Sequence, residues 1–504
     1  MHLRQMLVLA ITIACAHGQG PAGPTARYST KTGYETSFEP GTDEKAQRLR
    51  DWQAIARDVG ESESLTGCNP AGVYVVHRHG LRYPSDGDIE DYNAILARMK
   101  LTGVNDEFDY LLNITDNLYP IALEGSLHPA GFAEMEELGT RIKQRLPELF
   151  VEDGLSGFDF QGTYRQRTID SAQGFINGLQ GPEANCTVSS KSSTRDELTC
   201  TFNSTTNAET VVIDHALEGE DLLLKFYESC TNFITDVDEN DAAVIEVDRF
   251  GEGPELTSAY QSVANKLAPI GWTSPWNMTK DDLEVMHHMC GYESGFYGSS
   301  PWCNLFSNNE SLAVEYWLDL KQYWTEGYGY DINHQMACPL VDDILNYMTS
   351  VMTNRTHRGS FKFGHSSTFQ PLLAILGLYM DTPKLLASNY DVSVNRAWRS
   401  GRISPMSGHL SFNVFQCPSE QYRVLVLHNE LPIKVGNCED FFCAYDEVES
   451  HLTTSSDGCQ WDALCGTDGL YPGVGGAEAL SKVSILTLIC ALIVSFSSSP
   501  LSIC

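Results

Sequence analysis

The sequence predicts an α/β fold: a mostly parallel sheet flanked by helices, with an inserted and mainly helical cap. Two short strand patterns each run into a histidine, one over residues 73–76 before His79 and one over residues 360–364 before His365. Residues 215–335, between them, have a largely helical pattern rich in aromatic side chains. Because ligands of open α/β sheets bind outside the carboxyl ends of the strands, both histidines are expected at one crevice.

The domain organisation follows from these elements. A length of 504 residues allows one large domain with an insertion, or two domains. We expect an α/β domain made of residues 19–180 and 340–465, with the helical cap inserted as residues 181–339. Residues 1–18 are assigned to a signal peptide, and residues 466–504 to a C-terminal spacer with a hydrophobic tail.

Helices are expected on both sides of the first histidine. One is predicted near residues 44–59. A second covers residues 128–150, where apolar side chains recur every three to four positions and Pro147 ends the pattern. A third follows within residues 163–179. Residues 181–212 are rich in Ser, Thr and Asn, which predicts an exposed loop or hairpin.

The charge balance is strongly acidic. The chain has 33 Lys and Arg against 66 Asp and Glu, a formal net charge of -33. This argues against nucleic acid or anionic membrane surfaces as partners. The same field repels a small anion, so a pocket for an anionic ligand must be locally basic.

The two ends of the chain indicate secretion. His2 and Arg4 precede an apolar stretch, residues 6–15, and a small-x-small cleavage pattern at residues 16–18, as in a secretory signal peptide. At the other end a hydrophobic tail, residues 483–496, follows a segment of small and polar residues. This layout predicts a GPI-anchor signal and a mature protein on the extracellular face of the plasma membrane, or secreted. A single membrane-spanning helix is the alternative, but the tail is short for one.

Cysteines and glycosylation sequons agree with that compartment. Of 15 Cys, three lie in the signal and the tail, which leaves an even number for disulfides. Three pairs are close enough in sequence for local bridges, although connectivity stays open: Cys438/Cys443, Cys459/Cys465 and Cys186/Cys200. A zinc site is the weaker interpretation, since no Cys or His spacing fits one. Six asparagines begin sequons: Asn113, Asn185, Asn203, Asn277, Asn309 and Asn354.

The stretch Arg78-His79-Gly80-Leu81-Arg82-Tyr83-Pro84 carries the most chemistry. His79 can act as a nucleophile toward phosphorus. Arg78 and Arg82 can hold phosphate oxygens with planar forks and offset charge that develops during transfer. Gly80 is expected to allow the turn and the approach of a substrate to the backbone. The alternative is a loop that contains these residues by chance.

The spacing Arg-His-Gly-x-Arg-x-Pro resembles the signature of the histidine acid phosphatases. Further stretches resemble their multiple inositol polyphosphate phosphatase branch, and the resemblance runs from about Tyr28 to Cys465. They read STKTGY, RTIDSAQGFINGL, DLKQYWTEGYGYDIN, FKFGHSSTFQPLLAILGLY and CEDFFC. The resemblance implies the histidine-phosphatase-like version of the α/β fold predicted above.

The resemblance also implies residue roles. His79 would accept the phosphoryl group, Arg78, Arg82 and Arg167 would bind it, and His365 would hydrogen-bond it. Three guanidinium groups and an imidazole suit a group with charge on three oxygens. For Arg167 alone, a surface salt bridge is the alternative. The family implies no metal and no organic cofactor.

The chain departs from the family at one position. The family's second motif reads His-Ala-Glu, whose acid protonates the leaving alcohol, whereas this chain has His365-Ser366-Ser367. A serine is no general acid near neutral pH, and loss of a positioned acid costs about a hundred- to ten-thousand-fold. The alternative role of Ser367 is a helix N-cap. No acid lies in residues 361–371, and a carboxylate from a distant segment stays open.

The sequence therefore predicts a secreted or cell-surface phosphomonoesterase acting on small phosphate esters. The family resemblance implies phytate-like inositol polyphosphates and bisphosphoglycerate as its substrates. Its reaction would pass through a phosphohistidine. The first alternative is a phosphate-binding protein that has lost turnover, which Ser367 favours. The second, a phosphoglycerate mutase-like transferase, is disfavoured by the signal peptide and the cysteines. Nothing in the sequence names a protein partner.

Overall fold

The structure is a computed structural model. It describes residues 28–37, 67–100, 119–150, 154–180, 184–192, 195–202, 210–268, 278–353, 357–456 and 459–467. Several predictions lie outside these residues: the signal peptide, the helix near 44–59, the hydrophobic tail with most of its spacer, and the sequons at Asn113, Asn203, Asn277 and Asn354.

The described part contains both strands and α-helices. The strands are β1 Asn69–Arg78, β2 Phe158–Gly162, β3 Ala184–Ser192, β4 Arg195–Phe202, β5 Thr210–Val211, β6 Ile213–Asp214, β7 Gly359–Gly364, β8 His409–Gln416, β9 Tyr422–His428, β10 Leu431–Pro432 and β11 Phe442–Ala444. The α-helices are α1 Asp86–Lys100, α2 Pro129–Arg145, α3 Gln166–Gln180, α4 Phe226–Ser229, α5 Thr231–Phe233, α6 Ile245–Gly251, α7 Pro254–Leu267, α8 Lys280–Tyr297, α9 Asn308–Glu326, α10 Asp331–Gln335, α11 Cys338–Thr353, α12 Ser366–Ile375, α13 Ser400–Ile403, α14 Tyr445–Ser456 and α15 Trp461–Cys465.

One eight-stranded sheet organises the fold, in the order β10-β9-β8-β1-β7-β2-β6, with β11 paired to β9. Strands β1, β7, β2 and β6 run parallel, and β8 to β11 add an antiparallel part. The α/β prediction is confirmed. In the register of β1 and β7, Arg78 lies opposite Gly364, so the two histidine-bearing turns leave the sheet at the same edge.

Strand β1 is buried on both faces, which explains its continuous apolar run. Side chains of a strand alternate between the two faces of the sheet. Tyr74 and Val76 belong to the large core shared with helices of the 280–353 region, whereas Val73 and Val75 pack with α2 and α3. The central strand, and the turn that follows it, are therefore held from both sides.

The segment predicted as a helical cap, residues 181–339, begins with strands. Strands β3, β4 and β5 form a small sheet of their own, and β6 pairs in parallel with β2 in the main sheet. Helices α4 to α10 follow β6 in this segment. Cap boundaries stay a prediction. Among the described residues, no helix is both long enough and apolar enough to cross a bilayer.

The disulfides correct one expected pair. Cys438–Cys443 is confirmed, whereas Cys459–Cys465 is wrong. Cys459 precedes the short helix α15, and Cys465 is its last residue. Each bonds a cysteine of another element: Cys459 bonds Cys338 and Cys465 bonds Cys230. Cys186 and Cys200 are register partners on β3 and β4. Two further bridges join Cys68 to Cys417 and Cys290 to Cys303.

Candidate active site

Three neighbouring parallel strands bring the predicted site residues to one edge of the sheet. Strand β1 ends at Arg78 and is followed by His79, and β7 is followed by His365. Strand β2 ends at Gly162, and the first turn of α3 carries Arg167. The rings of His79 and His365 have centroids 5.5 Å apart. The residues that the sequence singled out from three distant stretches therefore meet.

The hydrogen bonds of His79 fix its tautomer. Its Nδ1 lies 2.8 Å from the carbonyl oxygen of Gly80, and a carbonyl only accepts, so Nδ1 carries the proton and Nε2 the free electron pair. Burial, followed by the positive charges of Arg167 and Arg78, lowers the pKa of His79 well below its usual value. The imidazole is therefore neutral at neutral pH, which is the state that a nucleophile requires.

Two arginines beside His79 keep donors free for an anion. The Nη1 and Nη2 atoms of Arg78 donate to the carbonyl oxygens of Ser404 and Thr30, each at 2.7 Å. The buried Nε atoms of Arg78 and Arg167 have no hydrogen-bond partner. Burial lowers the pKa of Arg78 to about 9 and that of Arg167 to about 10, so both stay protonated at neutral pH. Buried cations with unpartnered N–H groups suit a phosphoryl group.

Further positive charge surrounds this pair. Arg82 is half-buried and donates from Nη1 to the carbonyl oxygen of Tyr83, at 2.7 Å. Lys225 is buried, donates from Nζ to the hydroxyl of Tyr164 at 3.1 Å, and its charge helps to lower the pKa of His365. The sequence analysis missed Lys225, because no phosphate-binding motif marks the stretch after β6. The site is therefore locally basic near His79. A protein with a formal net charge of -33 needs such a local excess of positive charge to bind an anion.

His365 uses both ring nitrogens on protein groups. Its Nε2 lies 3.0 Å from Thr163 Oγ1, and its Nδ1 lies 3.3 Å from Nη2 of Arg167. An arginine only donates, so Nδ1 accepts and Nε2–H donates to Thr163. The contacts show that His365 orients Arg167, which is not engaged as a simple surface salt bridge. A direct hydrogen bond from His365 to substrate phosphate stays a prediction.

Gly80 has a different reason from the one expected. A Cβ atom at this position would lie 2.6 Å from the carbonyl oxygen of Gly131, in the first turn of α2. The Gly80 N–H donates to Ser171 Oγ on α3, at 3.0 Å. The absence of a side chain therefore lets two helices pack against the catalytic turn, and the turn itself needs no left-handed backbone here.

Ser367 does not cap a helix. Helix α12 begins at Ser366, its N-cap is His365, and the N–H of His365 donates to Thr368 Oγ1 at 3.1 Å. The N-cap interpretation of Ser367 is therefore wrong. Its hydroxyl instead donates to Oε1 of Glu326, at 2.6 Å, across 41 residues of sequence.

Glu326 is the site residue that the sequence analysis missed. It is the last residue of α9, and its second carboxylate oxygen accepts from the amide of Gln370. Burial raises the pKa of Glu326 to about 7, against the opposing effects of the Ser367 hydrogen bond and the Arg78 charge. Its only sequence signal is a place directly before the Gly-Tyr-Gly-Tyr segment, since nothing there points toward Ser367.

A cavity of about 700 Å³ opens beside this carboxylate, a size typical of small-molecule sites. Ser367 and Glu326 belong to its wall, together with Lys321 and with the carboxylates Glu228, Asp238 and Glu239. The charged side chains of the cavity wall are therefore mainly acidic, whereas the arginines around His79 are basic. The locally basic character expected of a pocket for an anion therefore holds around His79 and not for this cavity.

Among the described residues, potential metal ligands come close together at one place. The one cluster compact enough for a metal, Cys438, Cys443 and Glu447, has its two cysteines joined in a disulfide. Of the predicted glycosylation positions, Asn309 is exposed in the first turn of α9, and Asn185 lies on β3. Their modification stays a prediction.

Comparisons with known proteins identify the family of this chain. A family model described as the histidine phosphatase superfamily (branch 2) matches residues 71–429. Multiple inositol polyphosphate phosphatase 1 of Gallus gallus is 28% identical over 477 residues, covering 92% of this chain and 96% of the relative. The Homo sapiens protein of the same name is 27% identical over 462 residues, covering 87% and 88%.

Solved structures share the fold. The phytase from D. castellii superposes with a TM-score of 0.62 at 18% identity, covering 80% of this chain and 82% of the phytase. The multiple inositol polyphosphate phosphatase of Bifidobacterium longum, in complex with inositol hexasulfate, gives a TM-score of 0.60 at 18% identity, covering 84% and 97%. The family resemblance predicted from the motifs is confirmed.

Proposed function

This chain belongs to the histidine phosphatase superfamily (branch 2), and we propose that it hydrolyses inositol polyphosphates such as phytate through a phosphohistidine at His79. The observation that carries the proposal is a neutral imidazole whose Nε2 is free, beside two arginines with unpartnered Nε–H groups. This arrangement supplies a nucleophile and donors for the oxygens of the phosphoryl group.

The reaction would take place in two displacements. Nε2 of His79 attacks phosphorus, the N–P bond forms, and the bond from phosphorus to the ester oxygen breaks. Arg78, Arg82 and Arg167 offset the charge that spreads over the three remaining oxygens. Water then attacks phosphorus, the N–P bond breaks, and inorganic phosphate leaves. The proton stays on Nδ1 of His79, where it is donated to the carbonyl oxygen of Gly80, so attack by Nε2 needs no base.

The substrate class rests on the relatives and on the size of the cavity. The relatives named above are inositol polyphosphate phosphatases, and one structural neighbour was solved with inositol hexasulfate. A cavity of about 700 Å³ beside Ser367 has room for an inositol ring as the leaving group. Bisphosphoglycerate is a smaller alkyl phosphate ester of the same chemical kind and belongs to the proposed substrates.

A His79→Ala variant tests the proposal. Rapid quench of the wild-type protein with labelled substrate should trap one acid-labile phosphoryl group on His79, and His79→Ala should show neither label nor turnover. His451→Ala is the matched control, because His451 lies on α14 and bonds the carbonyl oxygen of Leu376. A phosphate-binding protein without turnover, the alternative kept above, would bind substrate but give no label in any variant.

Cell-surface location is a further part of the proposal. The sequences of the two termini and the even number of cysteines between them support a secreted, glycosylated ectodomain with a GPI anchor. Treatment of intact cells with a phosphatidylinositol-specific phospholipase should release the protein, whereas retention would indicate a spanning helix. Removal of N-glycans should increase its gel mobility, and Asn309→Gln should remove one step of that shift.

A further inference from the structure

At position 367 the family motif implies a carboxylate, whereas this chain has a serine. The hydroxyl of Ser367 is hydrogen-bonded to a carboxylate from another element, that of Glu326. A glutamate at position 367 would carry its oxygens about 2.4 Å beyond the position of Oγ, a span of two covalent bonds. Oε1 of Glu326 lies 2.6 Å from that same Oγ. Helix α9 therefore supplies an acid at nearly the distance from the motif that the missing side chain would have reached.

The surroundings of Glu326 suit an acid that gives up a proton near neutral pH. Burial favours its protonated form, and the opposing charge of Arg78 favours the carboxylate left afterwards. Ser367 Oγ and the Gln370 amide hold its two oxygens in place. Glu326 also lines the cavity that we assign to the leaving group. A carboxylate with a purely structural role would not need to line the cavity.

We propose that Glu326 is the proton source for the leaving alcohol and that the Ser367 hydroxyl conducts the proton. This inference rests on the proposed function. Before this step Glu326 is protonated and its carboxyl group donates to Ser367 Oγ, the reverse of the hydrogen bond that Ser367 donates to the carboxylate. As the bond from phosphorus to the ester oxygen breaks, that oxygen takes the hydroxyl proton of Ser367, and Ser367 Oγ takes the carboxyl proton of Glu326. The products of the step are a neutral alcohol, a phosphohistidine and a Glu326 carboxylate.

The second displacement restores the starting state. When water attacks the phosphohistidine, its proton passes to Ser367 Oγ, and the Ser367 proton returns to the Glu326 carboxylate. Protons therefore balance over one turnover, and the pair acts first as acid and then as base. We call these two residues the Ser367–Glu326 relay.

The relay is tested by comparing two leaving groups. Nitrophenyl phosphate leaves as a weakly basic phenolate and needs little protonation, whereas the alkoxide of phytate needs a proton. Wild type should hydrolyse both. Glu326→Gln should lower phytate turnover about a hundred-fold or more and nitrophenyl phosphate turnover less than about three-fold. Retained labelling of His79 by nitrophenyl phosphate would show that the variant is folded.

Glu134→Gln is the matched control, since Glu134 also accepts a serine hydroxyl, from Ser407 at 2.7 Å. It should change both substrates by the same factor. The exchange Glu326→Ser with Ser367→Glu keeps one carboxyl group and should recover at least about ten-fold of the phytate rate lost in Glu326→Gln. Ser367→Glu alone places two carboxylates together and should not exceed wild type.

The outcomes separate the two proposals. Unchanged phytate turnover in Glu326→Gln, or an equal loss on both substrates in a folded variant, would overturn the relay while leaving the phosphatase intact. Failure of the wild-type protein to hydrolyse either ester would overturn the proposed function, and the relay with it.

Discussion

Two serine–glutamate pairs in this protein have nearly the same chemistry and different surroundings. Ser367 donates to Glu326 at 2.6 Å, and Ser407 donates to Glu134 at 2.7 Å. Burial raises the pKa of each glutamate to about 7. The positive charge of Arg78 opposes the rise in the pKa of Glu326, and Glu326 lines the cavity. The charges that affect the pKa of Glu134 are carboxylates, which raise it further. A pKa near 7 therefore does not identify a general acid unless the group can also reach the reacting atoms.

The Ser407–Glu134 pair lies behind the catalytic turn. The backbone N–H of Ser407 donates to the carbonyl oxygen of His79, at 2.9 Å, and Glu134 accepts a backbone hydrogen bond from Leu81. These contacts tie helix α2 to the turn that carries the nucleophile. We infer that the pair positions the turn and delivers no proton.

The largest expected difference is in the pH dependence. A general acid must be protonated, so the contribution of Glu326 is present below its pKa of about 7 and falls about ten-fold per pH unit above it. Since about half of Glu326 is protonated at pH 7 and about one hundredth at pH 9, the ratio of wild-type to Glu326→Gln phytate turnover should drop about fifty-fold between them. Taking the ratio at each pH cancels the ionisation of the substrate.

The ratio of wild type to Glu134→Gln should vary much less over the same range. A ratio for Glu326→Gln that stays constant with pH would assign Glu326 a structural role like that of Glu134. The turnover of nitrophenyl phosphate, measured over the same pH range, should show no fall above pH 7 that depends on Glu326.

Removing the serine hydroxyl of each pair should also distinguish the two pairs, with smaller effects on turnover. Ser367→Ala should lower phytate turnover about ten-fold or more, because the relay loses its conducting group, and should barely affect nitrophenyl phosphate. Ser407→Ala should change both rates alike and lower the free energy of unfolding by about 1–3 kcal/mol, since a buried acceptor loses its donor. Steady-state kinetics and denaturant unfolding measure the two effects. A Ser367→Ala enzyme as active on phytate as wild type would remove Ser367 from the relay.

The smallest effect concerns the charges that line the cavity. Asp238 raises the pKa of Glu326 and Lys321 lowers it. Asp238→Asn should therefore move the high-pH limb of phytate turnover to lower pH, and Lys321→Gln should move it to higher pH. Each shift should be less than about one pH unit and should shrink with added salt, because both side chains are exposed. Shifts in the same direction would contradict the assignment of the limb to Glu326.

The sequence predicts the nucleophile better than the acid, for a physical reason. Strand β1 and its turn are continuous in sequence, so the burial of residues 73–76 already places His79 at the edge of the sheet. Glu326 reaches Ser367 only because α9 packs near α12, and that contact spans 41 residues. Lys225 and the partners of Cys459 and Cys465 were missed for the same reason. In each case the decisive neighbour belongs to another element, and no local pattern encodes it.

Residues 28–37 form a part of the site that no described disulfide anchors. The carbonyl oxygen of Thr30 accepts from Arg78, that of Thr32 accepts from the N–H of Met406, and Lys31 pairs with Asp88 at 3.1 Å. A single backbone cut within residues 38–66 would leave the fragment that contains residues 28–37 bound to the rest of the protein through non-covalent contacts such as these. The activity of the nicked protein would then depend on protein concentration. Dilution would remove the Thr30 carbonyl from the guanidinium of Arg78, and a synthetic peptide of residues 28–37 would restore that contact.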